Sequence, residues 1–173
     1  MGTVKTDAIT TAYDSAVYPV GTRYVQPADE VTAANSTHYG DREWIFVYND
    51  EASTAFAEGN VIMLDNSDYA SFNGLLSTAT LHVYRILGVA GGAIAAGKYG
   101  WIIAKGVGEV KCDGGVVAGD RLVAHASTAG IADTVVLNAD ATTDNLECVF
   151  GMALEADAGS RSEERRVGKE SRS

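Results

Sequence analysis

Short runs of Val, Ile, Leu and aromatic residues, each closed by glycine or a polar cluster, recur along this chain, and such runs predict strands joined by tight turns. Glu43–Tyr48 is the first convincing one. Trp44, Phe46 and Tyr48 alternate with Ile45 and Val47, so both faces are apolar and the strand is expected to be covered on both sides. Val61–Leu64 continues the sheet. The densest part runs from Leu81 to Val123, through Leu81–Ala90, Tyr99–Ile103, Gly106–Cys112 and Gly114–Val123. Val135–Leu137 is a further short candidate, and Glu147–Leu154 reads as the last strand. Tyr69–Leu76 is expected to form one or two helical turns with Phe72, Leu75 and Leu76 facing the body. The small, polar stretches 124–132 and 138–145 are expected to be loops. About eight to ten short strands follow, with few helical residues. The expected fold is all-β: a single compact β-barrel or β-sandwich of short strands, preceded by an extended N-terminal arm.

One local device repeats. Phe56–Val61, Ile94–Tyr99 and Val117–Leu122 share an apolar residue, alanine, glycine and a polar residue, with a strand-like run following. Glycine adopts positive φ cheaply, so each copy is expected to turn the chain just before a strand. A phosphate loop would instead need a helix after the glycines and Lys-Ser or Lys-Thr; Lys98 is followed by Tyr99, Gly100 and Trp101.

Residues 1–40 are polar and irregular, with Gly21–Gln26 the one strand-like piece. They are expected to form an arm that lies along the body or packs on a neighbouring surface, the alternative being a solvated tail. Tyr13, Tyr18, Tyr24 and Tyr39 are its candidate contact residues, since tyrosine combines a large contact area with a polar tip. Residues 41–160 form the expected β body.

Composition narrows the function classes. A chain of 173 residues, 46% hydrophobic and 21% charged, suits one globular domain with a real core. Nineteen glycines against two prolines favour tight turns over long helices. The formal charge of −10 argues against binding a phosphate backbone, so no nucleic-acid partner is expected. No apolar run is long enough to span a bilayer and Met1–Asp7 lacks a signal-peptide core, so the expected place of folding is a cytoplasm, with no membrane partner. Cys112 and Cys148 stand 36 positions apart in strand-like contexts, which predicts reduced, buried thiols instead of a disulfide framework or zinc site.

No catalytic constellation emerges, and no cofactor or metal is expected. His38, His82 and His125 are far apart in sequence with no acidic or cysteine residue at ligand spacing. Asp65–Asp68 offers only fragments of a calcium loop and reads as an Asx turn. Glu43, Glu109, Asp120 and Glu147 would make a glycosidase pair only if the fold joined two of them, which spacing does not indicate. Trp44 and Trp101 suit core packing better than stacking on sugar.

Four pieces carry a family resemblance: Ile86–Ala90; Gly97–Trp101 with Lys105-Gly106; Gly119–Val123; and Phe150–Glu155. In this order and spacing, over roughly residues 40–157, they resemble the head-decoration, or capsid-stabilising, proteins of tailed bacteriophages. The resemblance implies a non-enzymatic virion protein that binds and stabilises the outer capsid surface, assembled in the host cytoplasm. It also implies the major capsid protein as partner and a homo-oligomer, with a trimer favoured. Tyr13, Tyr18, Tyr24 and Tyr39 then become candidate capsid or subunit contacts. A β-sandwich carbohydrate-binding module, presenting Tyr99 and Trp101 to a polysaccharide, is the alternative.

Residues 161–173 differ in kind from the rest. They are densely charged and resemble the translation of a common short-read sequencing adapter at every position but Ser171, which implies a metagenomic gene model. This segment is expected to be non-native. Without it the formal charge moves from −10 to −12.

Overall fold

The computed structural model describes residues 9–30, 40–65, 71–78, 86–125, 127–135 and 149–156. Nine strands run through them: β1 (Arg23–Gln26), β2 (Arg42–Asn49), β3 (Val61–Leu64), β4 (Asn73–Leu76), β5 (Ile86–Ala90), β6 (Tyr99–Lys105), β7 (Arg121–Ala124), β8 (Ala132–Thr134) and β9 (Gly151–Met152). A 3-10 turn at Ala28–Glu30 is the one helical piece among the described residues. The fold is all-β, as expected. Strands β2, β4, β3, β5 and β6 pair in that order and the β2–β6 ladder closes them into a five-stranded barrel. β1 adds to the outside of β2, and β8, β7 and β9 form a separate small sheet.

Strand alternation divides the apolar residues into three groups. Ile45 and Val47 of β2, Ile62 of β3, Ala90 of β5 and Ile102 of β6 point into the barrel. Phe56 and Ile94, from the segments preceding β3 and β6, join them there. These two plugs need glycine opposite. A Cβ on Gly74 would come within 2.8 Å of Ile62 and 3.4 Å of Phe56, and one on Gly100 within 2.6 Å of Ile94. The outward set of β2 and β6, Trp44, Phe46, Trp101 and Ile103, is covered by the arm. The outward residues Val61 and Val89 pack against Val110, Val116, Leu122, Ala132 and Ala153 from the small sheet and its approach. A five-stranded barrel has too small an interior to hide so many apolar side chains, and the arm and the small sheet are the two covers.

All three repeated segments are turns before strands. Gly59, Gly97 and Gly119 have φ of 79°, 71° and 94°, at the third position of turns closed by Asn60 N to Ala57 O, Lys98 N to Ala95 O and Asp120 N to Val117 O. The likeness extends to tertiary pairing. Each glycine amide donates to the carbonyl of a residue whose own amide donates to the carbonyl following the glycine: Ala90 of β5 for Gly59, Asn49 of β2 for Gly97, and Ala153, just after β9, for Gly119. Aligned on the glycine, the third copy begins at Val116, not Val117. Phe56, Ile94 and Val116 are then the equivalent buried residues.

Three expectations need correction. The expectation over Tyr69–Leu76 is helical turns; Tyr69 and Ala70 lie outside the described residues, and Asn73–Leu76 is strand β4, entered through Phe72 at φ 50°. Phe72 and Leu76 do pack on the barrel interior. The strand wins because its backbone pairs with β3 on one side and runs parallel to the end of β2 on the other, completing the barrel wall. The long last strand is reduced to Gly151–Met152 among the described residues, and Val135 follows β8 instead of beginning a strand. Val136, Leu137, Glu147 and Cys148 lie outside the described residues, as do the acidic run 66–68, residues 79–85 and the tail 161–173.

Candidate assembly surface

The arm is a bound strap over described residues 9–30. Tyr13 and Tyr99 exchange backbone hydrogen bonds of 2.8 and 3.0 Å, Gly21 N donates to Phe46 O at 2.7 Å, and Phe46 N donates to Thr22 O at 2.8 Å. β1 then runs antiparallel to β2, Arg23 opposite Ile45 through Gln26 opposite Arg42. Ile9, at the start of the strap, is buried in one cluster with Trp44, Phe46, Trp101 and Ile103. The Trp44 Nε1–H donates to Gln26 Oε1 at 2.9 Å, which satisfies a buried indole.

Three of the four candidate tyrosines meet on this face. The Tyr18 ring stands edge-on to Phe46 at 5.5 Å between centroids and 5.4 Å from Trp101; Tyr24 lies 6.5 Å from Trp101 and Tyr13 5.9 Å from Phe46. All three are half-buried against their own body. Tyr39 falls outside the described residues. Tyr24 donates to Glu30 Oε2 at 3.1 Å, and burial, aided by that carboxylate, pushes its phenol up from the ordinary value. The strap's ionic fastening is Glu43, between Arg23 and Lys105 (3.1 Å). Burial acts to raise its carboxyl, and the two cations together overcome that and hold it below the ordinary carboxylate value.

The exposed large apolar residues fall at two places. Val17 and Val25 are on the strap, 50% and 56% exposed. Val117, Met152 and Leu154 are exposed by 54%, 43% and 40%, and the turn carrying Val117 pairs through Gly119 with Ala153, between the other two. Because Ala153 is buried, its neighbours Met152 and Leu154 share the opposite, outward side. None of these five is among the candidate residues that sequence reading selects. The alternation around Ala153 was the one available signal for Met152 and Leu154.

Residues with potential chemistry are in structural use. Asp120 accepts from Val117 N at 2.8 Å and fixes its own turn. Asn49, fully buried at the end of β2, donates to Thr54 O and Ile94 O at 3.1 and 2.8 Å and accepts from Glu51 N at 3.0 Å. The sequence showed no acidic neighbour for His125, yet folding brings Asp113 within 2.9 Å of its Nε2. Cys112 is half-buried, and its thiol donates to Val110 O at 3.6 Å. Trp44 and Trp101 are 4% and 1% exposed, so neither offers a stacking face at the surface. Among the described residues no group of His, Cys, Asp and Glu could hold a metal ion, and no helix is long and apolar enough to cross a membrane. No protein family, curated protein or solved structure matches this chain.

Proposed function

We propose that this protein is a non-enzymatic structural component of a tailed-bacteriophage virion that binds the outer capsid surface and stabilises it. The observation that carries the reading is the ordered set of four motif pieces, Ile86–Ala90, Gly97–Trp101, Gly119–Val123 and Phe150–Glu155, which resemble those of head-decoration proteins. Two features support it. The pieces fall on β5, β6, the Gly119 turn with β7, and β9, which lie in connected parts of one body. The exposed Val117, Met152 and Leu154 beside that turn supply an apolar contact area of the kind a rigid β module offers a protein partner. The partner in this reading is the major capsid protein, and the working form is a small symmetric homo-oligomer, a trimer favoured. Several weak contacts held together release far more slowly than one. Burial of both tryptophans weighs against the carbohydrate-module alternative, which depends on exposed aromatic rings.

The test is to mix purified protein with expanded, undecorated heads of the phage that encodes it and image the particles, with light scattering for the oligomeric state. Saturable, symmetric decoration is expected. Met152→Asp with Leu154→Asp should weaken it by at least about tenfold, as for the central contacts of a protein interface. Removing the whole arm is the poorer test, because it uncovers Phe46 and Trp101 and perturbs folding as well as contact. A monomer that ignores heads and binds a glycan array would overturn the proposal.

A further inference from the structure

One row of side chains crosses the outer face of the small sheet. Arg121 of β7 stands directly opposite Met152 of β9. On its other side the β7–β8 register, with Leu122 opposite Thr134, continues to Val135, whose amide donates to Arg121 O at 3.0 Å. Residues directly opposed in a sheet point to the same side, so Val135, Arg121 and Met152 share one face. Arg121 and Met152 are exposed there and Val135 is half-buried. Leu154 lies on the Met152 side, and the Gly119 turn, paired with Ala153, brings Val117 beside them. An exposed guanidinium thus stands in the row with apolar side chains on both flanks. Arg23 and Lys105 are paired with Glu43, and Lys98 with Asp14. The Arg121 guanidinium, among the described residues, has neither ion pair nor hydrogen bond. Two neighbouring carboxylates are turned elsewhere: Asp120 Oδ2 accepts from Val117 N at 2.8 Å, and Asp133 Oδ1 from Thr134 N at 2.7 Å.

We propose that this face docks a protein segment presenting a carboxylate between apolar residues, and that Arg121 is the residue that reads the carboxylate. The proposal deepens the capsid-binding reading and rests on it for the partner's identity, though not for the chemistry of the face. The arginine decides the occupant. A wholly apolar partner would seal over Val117, Met152 and Leu154 but leave the guanidinium desolvated without a counter-ion, which costs more than the patch gains at that point. A carboxylate seated there accepts two parallel N–H donors from the guanidinium fork, and the apolar flanks exclude the water that weakens such a pair on an open surface. The face therefore discriminates by penalty as well as by attraction. Arginine amid Met, Leu and Val is also the composition of the few residues that dominate protein interfaces.

The test applies wild type, Arg121→Lys and Arg121→Met to an array of random heptapeptides and, separately, to expanded, undecorated heads of the encoding phage. All three proteins should melt together, because the side chain changed is exposed and unpartnered. On the array, wild type should select Asp or Glu next to Leu, Ile, Val or Phe, and replacing the acid by its amide should weaken binding at least about tenfold. That comparison needs no variant. Arg121→Met should lose the preference for acid and bind heads at least about tenfold more weakly; Arg121→Lys, which keeps the charge but not the fork, should fall between. A purely apolar contact predicts the reverse, since methionine enlarges the patch, and head binding by Arg121→Met equal to or tighter than wild type would overturn the proposal. So would an array on which nothing binds or acid is ignored. Self-association of the wild type that Arg121→Met abolishes would assign the face to a second copy and overturn it too. Heads left bare by a wild-type protein that still selects acidic peptides would sink the virion reading and leave the carboxylate site standing.

Discussion

Replacing Asn49 by alanine tests the joint on which the barrel's two repeated turns meet. The backbone of Asn49 holds the Gly97 turn through Lys98 O and Gly97 N, and its side chain ties Ile94 O, just before that turn, to Thr54 O and Glu51 N in the stretch that follows β2. Alanine keeps the backbone bonds and removes the three side-chain ones. Ile94 O retains the Phe56 amide at 2.9 Å and Thr54 is exposed, so two of the lost partners are not left wholly unpaired. Three net hydrogen bonds less that relief give a loss of about 2–4 kcal/mol. Asn49→Asp is the sharper variant. It preserves the acceptor for Glu51 N but turns a carboxylate oxygen towards two carbonyls, so at neutral pH it should cost more than alanine, about 3–5 kcal/mol. Those carbonyls favour the protonated acid and raise its folded-state pKa. The aspartate variant should therefore regain stability as pH falls through that raised value, while the alanine variant does not. Urea unfolding followed by the fluorescence of Trp44 and Trp101 measures both, with an unchanged m-value confirming a common unfolded state. An alanine cost under about 1 kcal/mol, or an aspartate variant equal to alanine at neutral pH, would refute the joint.

Gly88→Ala should cost more than Gly115→Ala in the same assay. A Cβ on Gly88 would sit 2.1 Å from the Ile103 carbonyl oxygen, where only backbone movement gives relief, so about 2–4 kcal/mol is expected. Gly115 at φ 72° has nothing within 4 Å of that position, leaving only the left-handed backbone penalty of about 1–2 kcal/mol. Glu43→Gln should remove a small acid-sensitive contribution. A carboxyl with a folded pKa below its unfolded value stabilises above the unfolded value and loses that contribution as pH falls through the folded one. With Arg23 and Lys105 more than half exposed, the loss at neutral pH should be under about 1 kcal/mol and vanish in acid, as a pH series of melting curves would show. Deleting residues 161–173 should change stability by less than about 0.5 kcal/mol if the segment is non-native.

The sequence by itself determined the all-β class, most of the central strands and the turns between them, because those are local properties. Alternation in Glu43–Tyr48 reports two apolar faces, and an alanine-glycine turn before a strand reports positive φ wherever it occurs. It also showed an arm with aromatic anchors. Only the tertiary structure decided between barrel and sandwich, because closure rests on β2 meeting β6 and on β4 lying parallel to the end of β2, pairings between segments far apart in the chain. It also decided what the arm does. Tyr13, Tyr18 and Tyr24 turn to Phe46 and Trp101 because the outside of a small barrel is apolar and must be covered. The same cause made Phe72–Leu76 misleading, since its spacing fits a helix and its backbone partners, invisible in the sequence, make it a strand. His125 with Asp113, and Val117 with Met152 and Leu154, were illegible for one reason: each set is assembled across a sheet or between loops, where sequence distance carries no information about contact.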